Sequence, residues 1–344
     1  MFSIFSKKEK SITLNSADSF IVTEKETILK SALKQGVNFP YSCKVGGCAA
    51  CKCQLVSGKV KQLTDAGYIL SAEDLQNNYI LACQSIPKTD VILNVDLSAA
   101  VARQITGVVF GQKKLTHDIT QLDIRLEEPI RFKAGQYARI TLKNFSDVSR
   151  PYSFASEPQQ DASLIRFFVR EVPNGKISPL VNNENLIDEP VVVEAPMGDF
   201  YLQDPSSLSP LLFIAGGSGL APVVALLQEA LVYGGNRPVT LLFGARSQKD
   251  LYYLDEIGEL SKQWKSMFVF SQVLSEEPEN SEWAGSRGWV GDEIKRQPKA
   301  EWEVYLCGPP AMIDQSMEQL ASIGIPKSRM FADRFISEHQ PLSN

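Results

Sequence analysis

Four cysteines constrain this chain more than any other feature of its sequence. Cys43, Cys48 and Cys51 follow a C-x4-C-x2-C spacing, and Cys83 comes after a long gap, on a strand predicted from Ile80 to Cys83. This is the spacing with which plant-type [2Fe–2S] clusters take their four thiolate ligands. Small residues in the first loop, such as Gly46, allow the backbone to pass close to the sulfur atoms and to direct N–H groups at them. The sequence therefore predicts a one-electron iron–sulfur centre near the N-terminus.

Other roles for the cysteines fit less well. A structural zinc site normally has two C-x2-C pairs or added histidines, whereas the second half here is Cys83 alone. A disulfide framework is typical of short secreted chains. Cys53 is expected to be a buried thiol and not a ligand. His117 and His339 are the only histidines, which argues against a Rieske centre and against a di-iron oxygenase site within this chain.

Length and charge narrow the class of protein. A chain of 344 residues predicts two or three domains, and a net charge of −5 argues against a nucleic-acid partner. Residues 1–10 are too short for a secretory signal. We therefore expect a flexible N-terminus at 1–10 and a cytoplasmic location, with attachment to the inner membrane only through a partner. The uncharged stretch from Leu211 to Gln228 is interrupted by glycines and Pro222, so it predicts no transmembrane segment.

The order of apolar segments predicts three domains. A cluster-binding domain is expected at 11–97, with a helix capped by Thr27 and a linker at 98–102. An antiparallel barrel is expected at 103–205, because short β segments alternate with turn signals. Its strands are expected at Ile105 to Phe110, Ile119 to Leu126, Tyr137 to Leu142, Leu164 to Val169 and Val191 to Glu194.

The third domain is expected at 206–344, where buried strands alternate with helices. This is the pattern of a doubly wound parallel sheet. The strands are expected at Leu211 to Ala215, Val239 to Phe243, Met267 to Val273 and Val304 to Cys307, and helices near Pro222, Leu254, Asp292 and Pro310.

A tetrapeptide in the second domain has the chemistry of a flavin site. Arg150, Pro151, Tyr152 and Ser153 stand on a predicted strand, whose period of two puts Arg150 and Tyr152 on one face. Arginine pairs with phosphate, tyrosine offers a flat ring with a polar tip, and serine offers a small donor. Taken alone, the segment also fits a surface arginine–tyrosine pair.

A predicted helix start supports the flavin interpretation. Gly175, Lys176, Ile177 and Ser178 precede Pro179. Ser178 is a suitable N-cap and Pro179 a suitable first helical residue. Free N–H groups at a helix start bind anions, so a flavin phosphate fits there. An ordinary helix cap is the alternative.

A glycine turn in the third domain predicts a dinucleotide site. Gly216, Gly217, Ser218 and Gly219 follow a fully apolar strand and precede a helix. Strand, glycine turn and helix together form the arrangement that holds a pyrophosphate. The pattern is not G-x-G-x-x-G, because Pro222 takes the third glycine position, and a generic glycine turn is the alternative.

A later strand end repeats this arrangement. Cys307, Gly308 and Pro309 close the strand that begins near Val304. Ligands of open α/β sheets bind at the carboxyl ends of strands, so we expect Cys307 to contact the nicotinamide. No histidine lies nearby in sequence to activate the thiol as a nucleophile.

These three units, in this order, resemble the ferredoxin–flavin reductases that serve bacterial oxygenases, over nearly the whole chain. Within that group the chain is most similar to the electron-transfer components of xylene monooxygenase. The likeness is carried by Cys43 to Cys51 with Lys44-Val45-Gly46, by Phe243-Gly244-Ala245-Arg246 leading to Asp250-Leu251-Tyr252, and by the ending Phe331-Ala332-Asp333-Arg334-Phe335. These motifs are specific for the reductase class and much less so for the oxygenase partner.

The resemblance implies a β-grasp ferredoxin domain, an FAD-binding barrel and an NAD-binding domain, with [2Fe–2S], FAD and NADH as cofactors. It implies that the tyrosine of the flavin motif stacks on the isoalloxazine and that the serine lies near its reactive nitrogen. The candidate catalytic residues are Tyr152, Ser153, Cys307 and Phe335. The implied binding residues are Arg150 to Ser153 for flavin, Gly175 to Ser178 for its phosphate, Gly216 to Gly219 for the pyridine nucleotide, and Cys307 to Pro309 beside the nicotinamide. Phe335 would cover the flavin, a core phenylalanine being the alternative.

The choice between NADH and NADPH depends on the turn after the second strand. Arg246 and Lys249 could bind the 2′-phosphate of NADPH. Similar arginines occur in NADH-using relatives of the family, so the resemblance favours NADH.

The expected function is an NADH-dependent reductase that passes electrons through FAD and [2Fe–2S] to a partner. The partner is expected to be an oxygenase or hydroxylase of hydrocarbons or aromatics, and a membrane-bound di-iron hydroxylase is one candidate. A reductase for deoxysugar formation or another non-oxygenase system is an alternative. A redox-sensing adaptor with a regulatory NAD-binding domain is another.

Overall fold

The computed structural model describes residues 9–15, 18–23, 25–37, 39–41, 44–46, 49–70, 72–95, 102–145, 147–157, 162–297 and 301–335. It separates into two compact units, one of 1–102 with 197–199 and one of 103–196 with 200–344. Residues 1–8, most of the predicted linker, and His339 lie outside the described residues. The predicted three-domain bounds, including the one at 205/206 inside the second unit, stay a prediction.

The first unit contains a mixed sheet and a short helix, as in a β-grasp domain. Its five-stranded sheet has the order β2-β1-β7-β3-β5, in which β1 and β7 are parallel and β3 runs antiparallel to both of its neighbours. A separate two-stranded antiparallel sheet pairs β4 with β6. The elements are β1 (Lys10–Leu14), β2 (Asp18–Val22), α1 (Ile28–Lys34), β3 (Lys52–Ser57), β4 (Val60–Gln62), α2 (Ala72–Gln76), β5 (Tyr79–Leu81), β6 (Ser85–Pro87) and β7 (Val91–Asn94).

Helix α1 confirms one prediction of the sequence. The Thr27 hydroxyl accepts a hydrogen bond from the Lys30 N–H at 3.3 Å, which satisfies a donor that the first helical turn leaves unpaired. Ile28, Leu29 and Ala32 are buried and join the core of this unit. The helix is therefore fixed by one cap and one apolar face.

The second unit begins with a six-stranded antiparallel sheet that curls into a barrel. Its order is β11-β10-β13-β8-β9-β12, and the two edges meet at a bridge between Phe154 and Phe167. The rings of these residues lie 5.3 Å apart inside the barrel. The elements are β8 (Arg103–Lys114), β9 (Ile119–Ile130), β10 (Tyr137–Leu142), β11 (Ser149–Ser153), β12 (Ala162–Arg170), α3 (Ser178–Asn183) and β13 (Pro190–Met197).

Strands β8 and β9 extend beyond the predicted bounds. The predicted ends at Phe110 and Leu126 mark where the regular alternation of apolar side chains stops, but the pairing continues to Lys114 and Ile130. A register shift between Val109 and Gly111 keeps the two strands paired after the alternation ends. Backbone hydrogen bonds, which the apolar pattern does not report, extend these strands.

The second unit continues with a fully parallel sheet covered by helices. Its order is β17-β16-β15-β14-β18-β19, so the direction of winding reverses beside β14. Such a reversal creates a crevice at the carboxyl ends of the strands. The elements are β14 (Leu211–Gly216), α4 (Leu220–Val232), β15 (Val239–Ala245), α5 (Leu254–Gln263), β16 (Phe268–Leu274), β17 (Ser286–Arg287), α6 (Val290–Glu293), β18 (Glu303–Gly308), α7 (Pro310–Ser322) and β19 (Met330–Arg334).

One apolar core joins the barrel to the parallel sheet. Phe168 of β12 packs edge-on against Tyr252 at 5.5 Å and against Tyr253 at 5.0 Å between ring centroids. Phe200 contacts Tyr305 of β18 in the same way at 5.8 Å. These aromatic contacts set the position of the barrel relative to the carboxyl ends of the parallel strands.

Helix α4 is the most deeply buried helix among the described residues, and it carries a half-buried carboxyl group at Glu229. Its residues from Leu220 to Leu227 are buried against β14 and β18. Burial raises the pKa of Glu229 to about 7, and the charge of Lys133 opposes this only in part. The ionised form of Glu229 is therefore disfavoured in the folded protein.

We expect this group to make stability fall as pH rises. The folded pKa of Glu229 lies above its ordinary value, so the native state binds the proton more tightly between pH 4.5 and about 7. Glu229→Gln should remove this slope and, after allowance for solvent screening, stabilise the protein by about 1 kcal/mol at pH 8. Thermal unfolding at pH 5 and pH 8 measures the effect.

Glu259→Gln is the matched control, because Glu259 is exposed and pairs with Lys262 on α5. A pH dependence of unfolding that is the same in the wild type and in Glu229→Gln would contradict the prediction.

Candidate functional site

Two of the four predicted cluster ligands lie side by side in the first unit. Cys51 directly precedes β3 and Cys83 follows β5, and both side chains are buried. The Cys83 backbone N–H points at the Cys51 sulfur at 3.4 Å, and the Ala82 N–H donates to the Cys51 carbonyl at 3.1 Å. The pairing of β3 with β5 thus brings distant parts of the sequence together. Cys43 and Cys48 lie outside the described residues.

The position of Cys83 corrects one expectation. Cys83 is predicted to lie on a strand, but β5 ends at Leu81 and Cys83 lies in the 3-10 turn Ala82–Gln84. A regular strand would turn alternate side chains to opposite faces, whereas the turn brings the Cys83 N–H against the Cys51 sulfur.

The surroundings of these sulfur atoms suit an iron–sulfur cluster. The Gln84 side-chain amide lies 3.8 Å from the Cys83 sulfur and can donate to it. Gly46 has a φ of +80°, and a Cβ there would lie 2.7 Å from the Gln84 Cγ. Gly46 therefore lies directly against the Gln84 side chain, in a backbone conformation that favours glycine. Buried thiolates with nearby N–H donors are the environment in which proteins hold such clusters.

Cys53 is separate from this group. It is buried on β3, and its thiol points to the Ile80 carbonyl at 3.9 Å. This agrees with the expectation of a buried thiol.

The predicted flavin tetrapeptide lies on edge strand β11 of the barrel. Arg150 and Tyr152 face Ile140 and Ala138 of β10 across the sheet. Tyr152 packs against the barrel core, and burial raises the pKa of its phenol. Pro151 is exposed between them, and Ser153 is buried. The geometry leaves a neutral tyrosine ring and a guanidinium on one face.

The predicted phosphate site forms a tight turn, with one correction. The helix begins at Ser178 with Ile177 at the N-cap, and the Ser178 hydroxyl accepts the Val172 N–H at 3.0 Å and does not cap the helix. The turn folds back on itself here, since a Cβ on Gly175 would lie only 2.9 Å from this hydroxyl. Lys176 is exposed, while the Ile177 side chain is in the barrel core.

Two predicted catalytic residues lie close to the carboxylate of Asp333, for which no role was predicted from the sequence. The Ser153 hydroxyl donates to Asp333 Oδ2 at 3.4 Å, and the Cys307 sulfur lies 4.0 Å from the same oxygen. Cys307 and Asp333 are paired neighbours on β18 and β19. Burial, with the charge of Asp333, raises the pKa of Cys307, so its thiol stays protonated. Its chemistry suits contact with a ligand and not nucleophilic attack.

A cavity of about 180 Å³ opens at the carboxyl ends of the parallel strands. The predicted residues Gly216, Gly217, Arg246 and Pro309 line it. Gly219 lies just below, and a Cβ there would collide with the Cys307 carbonyl. Glycine therefore allows the start of α4 to pack directly on β18. The other residues that line the cavity are Asp118, Ile119, Arg170, Gly244, Ala245, Asp250, Val273, Ser275, Glu276, Gly288, Trp289, Val290 and Met312.

Residues from the barrel complete this cavity, although the sequence analysis did not single them out. Asp118, in the turn between β8 and β9, accepts hydrogen bonds from Arg170 at 3.2 Å and from Arg246 at 2.9 Å. Arg170 reaches to within 3.5 Å of a Cβ placed on Gly217. Asp333 belongs to the segment Phe331 to Phe335 that carries the family resemblance, and this was its only signal in the sequence. Asp118 and Arg170 have no such signal.

The remaining predicted residues lie near the same edge. The Phe335 N–H donates to the Gly308 carbonyl at 2.9 Å, and its ring is half-buried against the core shared with the barrel. Ser218 is half-buried in the 3-10 turn Gly217–Gly219. Their contacts with flavin and nucleotide stay a prediction.

Three family descriptions match consecutive parts of the chain. They are the 2Fe-2S iron-sulfur cluster binding domain at 12–88, the oxidoreductase FAD-binding domain at 107–201 and the oxidoreductase NAD-binding domain at 213–318. The chain is 41% identical over 320 residues to the xylene/toluene monooxygenase electron transfer component of Pseudomonas putida, covering 92% of this chain and 90% of the relative.

The chain belongs to the oxygenase reductase family. It is also 34% identical over 320 residues to the reductase component of a naphthalene 1,2-dioxygenase system from Pseudomonas putida, covering 90% of this chain and 93% of that one. The crystal structure of an Amycolatopsis cytochrome P450 reductase matches with a TM-score of 0.72 and 29% identity, over 95% of this chain and 98% of that chain. The predicted fold class and the cofactors [2Fe–2S], FAD and NAD(H) are thereby confirmed. This oxygenase reductase is a flavin- and iron–sulfur-dependent oxidoreductase. In the described part of the chain, no helix has both the length and the apolar character to cross a membrane.

The two buried cysteines of the first unit give a direct test of the cluster site. Cys83→Ala should remove the visible absorption of the cluster, because it deletes one of four thiolate ligands. FAD content and NADH-to-ferricyanide activity should remain. Cys53→Ala is the control and should keep the cluster absorption, since its thiol points to a backbone carbonyl. If Cys53→Ala lost the cluster absorption and Cys83→Ala kept it, Cys53 and not Cys83 would be the ligand.

The carboxylate between Ser153 and Cys307 gives a second test. Asp333→Asn should slow flavin reduction by NADH about 10- to 100-fold, because the charged carboxylate that orients both side chains becomes a neutral amide, whose oxygen is a weaker acceptor and whose NH2 group cannot accept. Stopped-flow absorbance measures this rate. The control is Asp314→Asn, whose carboxylate pairs with the adjacent Arg334 on the outside of β19. Equal rates in the two variants would show that Asp333 does not position the site.

Proposed function

We propose that this oxygenase reductase uses NADH and passes electrons to a hydroxylating oxygenase of hydrocarbons or aromatics. The observation that carries this proposal is the meeting of Ser153, Asp333 and Cys307 where the barrel joins the parallel sheet. A flavin held by the barrel and a nicotinamide held at the end of β18 would face each other there. FAD, when bound, supplies hydride acceptance and one-electron release, and a [2Fe–2S] cluster supplies one-electron transfer.

The residues of the chain bind and orient these groups. Arg150 suits a flavin phosphate because its guanidinium lies on the same face as Tyr152, whose neutral ring suits stacking. The cavity beside Gly217 suits the pyrophosphate of the nucleotide. The hydroxyl of Ser153 and the protonated thiol of Cys307 are held at one carboxylate, so they are oriented before a ligand arrives.

The proposed partner is an oxygenase that docks at the cluster end of the first unit. Similar proteins are named as components of a xylene/toluene monooxygenase and of a naphthalene 1,2-dioxygenase system. Val45, next to the predicted ligand loop, is 73% exposed, and Lys44 lies 4.6 Å from the ring centre of Tyr41. A partner that receives electrons from the cluster must approach the ligand loop, and Val45 and Lys44 are the part of its surroundings that such a partner would contact. We propose a membrane-bound di-iron hydroxylase as this partner, reached from the cytoplasm.

Anaerobic titration with NADH tests the proposal. The flavin absorbance should fall and the cluster bands should bleach in part, because electrons leave NADH as a hydride and reach the cluster singly. Addition of membranes that contain the hydroxylase, together with its substrate and O2, should then reoxidise both cofactors faster than O2 alone, because the hydroxylase uses O2 as the terminal oxidant. A protein whose flavin does not respond to either nucleotide would contradict the reductase function. Reoxidation only by a soluble dioxygenase would contradict the membrane partner.

A further inference from the structure

The turn that follows β15 decides how the adenosine end of the nucleotide is recognised. In dinucleotide-binding folds, this region reads the ribose 2′ position: an acidic group binds a free 2′-hydroxyl, and basic groups accommodate a 2′-phosphate. Here the turn runs from Arg246 to Asp250, and we refer to these residues as the Arg246 turn. Arg246 and Asp250 both line the cavity described above.

The donors of the Arg246 turn are already held by carboxylates. The Arg246 Nη2 group donates to Asp118 at 2.9 Å and to Asp250 at 2.5 Å. The Ser247 N–H and hydroxyl both donate to Asp250, at 3.0 and 2.8 Å. The Gln248 N–H and side-chain amide both donate to Glu277, at 3.0 and 2.6 Å. A 2′-phosphate would have to displace these bonds to gain partners.

The three acceptors carry negative charge at neutral pH. Burial alone would raise the pKa of Asp118 and Asp250, but hydrogen bonds from Thr116 and Ser247 and the nearby guanidinium groups lower both pKa values below the ordinary range. Hydrogen bonds from Ser281 and Gln248 lower the pKa of Glu277. Glu276, which also lines the cavity, is exposed. A phosphate dianion at this turn would face several like charges.

Asp118 is the acceptor of Arg246 that the barrel supplies. It lies in the β8–β9 turn and joins Arg170 of β12 to Arg246 of the parallel sheet. His117, Asp118 and Asp250 lie close enough together to hold a cation. However, Arg170 and Arg246 already supply positive charge to the same carboxylates. These carboxylates therefore hold the two arginine side chains in place.

We propose that Asp118, Asp250 and Glu277 make this reductase selective for NADH by occupying the donors that a 2′-phosphate requires. Asp118 is then a specificity-determining residue supplied by the flavin-binding barrel. This inference rests on the proposed reductase function, and it assigns the choice of nucleotide to three named carboxylates.

The competing assignment is that Arg246 and Lys249 bind the 2′-phosphate of NADPH. Lys249 is exposed and has neither a hydrogen-bond nor an ion-pair partner among the described residues, but it does not line the cavity. Under this assignment NADPH would be preferred, and Lys249→Ala would reduce its use.

Steady-state kinetics of the full-length holoprotein with ferricyanide test the proposal. The wild type should have a higher kcat/KM for NADH than for NADPH. In the double variant Asp118→Asn/Glu277→Gln, the ratio of the two values should fall by about tenfold or more, because two like charges are removed and an amide can donate to phosphate. Glu259→Gln, an exposed carboxylate on α5, should leave the ratio unchanged. An unchanged ratio in a double variant that retains its flavin, or a wild-type preference for NADPH, would overturn the proposal.

A binding measurement on the wild type does not depend on whether the variants fold. 5′-AMP and 2′,5′-ADP differ only in the 2′-phosphate, and calorimetry gives their dissociation constants without turnover. We expect 5′-AMP to bind more tightly by about tenfold or more, for the same electrostatic reason. Equal or tighter binding of 2′,5′-ADP would overturn the proposal even if NADH reduces the flavin. If 5′-AMP bound more tightly to a protein that transfers no electrons, the role of the three carboxylates would be supported and the reductase function contradicted.

Discussion

The contact between the barrel and the parallel sheet is the constraint on which the second unit depends. Phe168 packs on Tyr252 and Tyr253 in a core shared by both sheets. This core places edge strand β11 beside the ends of β18 and β19, where Ser153 reaches Asp333. A shift of about 1 Å between the sheets would separate groups that must act together, and such shifts cost large factors in rate. Apolar packing that contacts neither ligand therefore sets the geometry of the site.

Carboxylates provide the polar part of the same contact. Asp333 is approached by Ser153 from the barrel and by Cys307 from the sheet. Asp118 is approached by Arg170 and Arg246, again one from each side. In both cases, one acceptor fixes two side chains that lie far apart in sequence. Because each carboxylate is partly shielded from water, its hydrogen bonds are stronger than they would be on an open surface.

Local signals in the sequence were reliable where the physical cause is local. The Thr27 cap appears as predicted. The succession of strand, glycine turn and helix at β14 and α4 does so too. Predictions failed where a tertiary contact competes with a local preference. Ser178 has the composition of an N-cap, but its hydroxyl bonds the Val172 N–H because the turn at Gly175 folds back on it. Strand β5 ends before Cys83, and the Cys83 N–H donates to the Cys51 sulfur from the turn that follows.

The sequence by itself determined the cluster ligand spacing, because the spacing of cysteines reports chemistry within a short segment. Its motifs also carried the family resemblance from which the fold class and the cofactors follow. The tertiary structure alone decided which residues meet across segments. Asp118 lies in an ordinary hairpin turn, and only the closing of the barrel against the parallel sheet brings it to Arg246. Asp333 acquires its position from parallel pairing of β19 with β18. Such contacts depend on how strands are ordered and how sheets pack, and no short stretch of sequence contains that information.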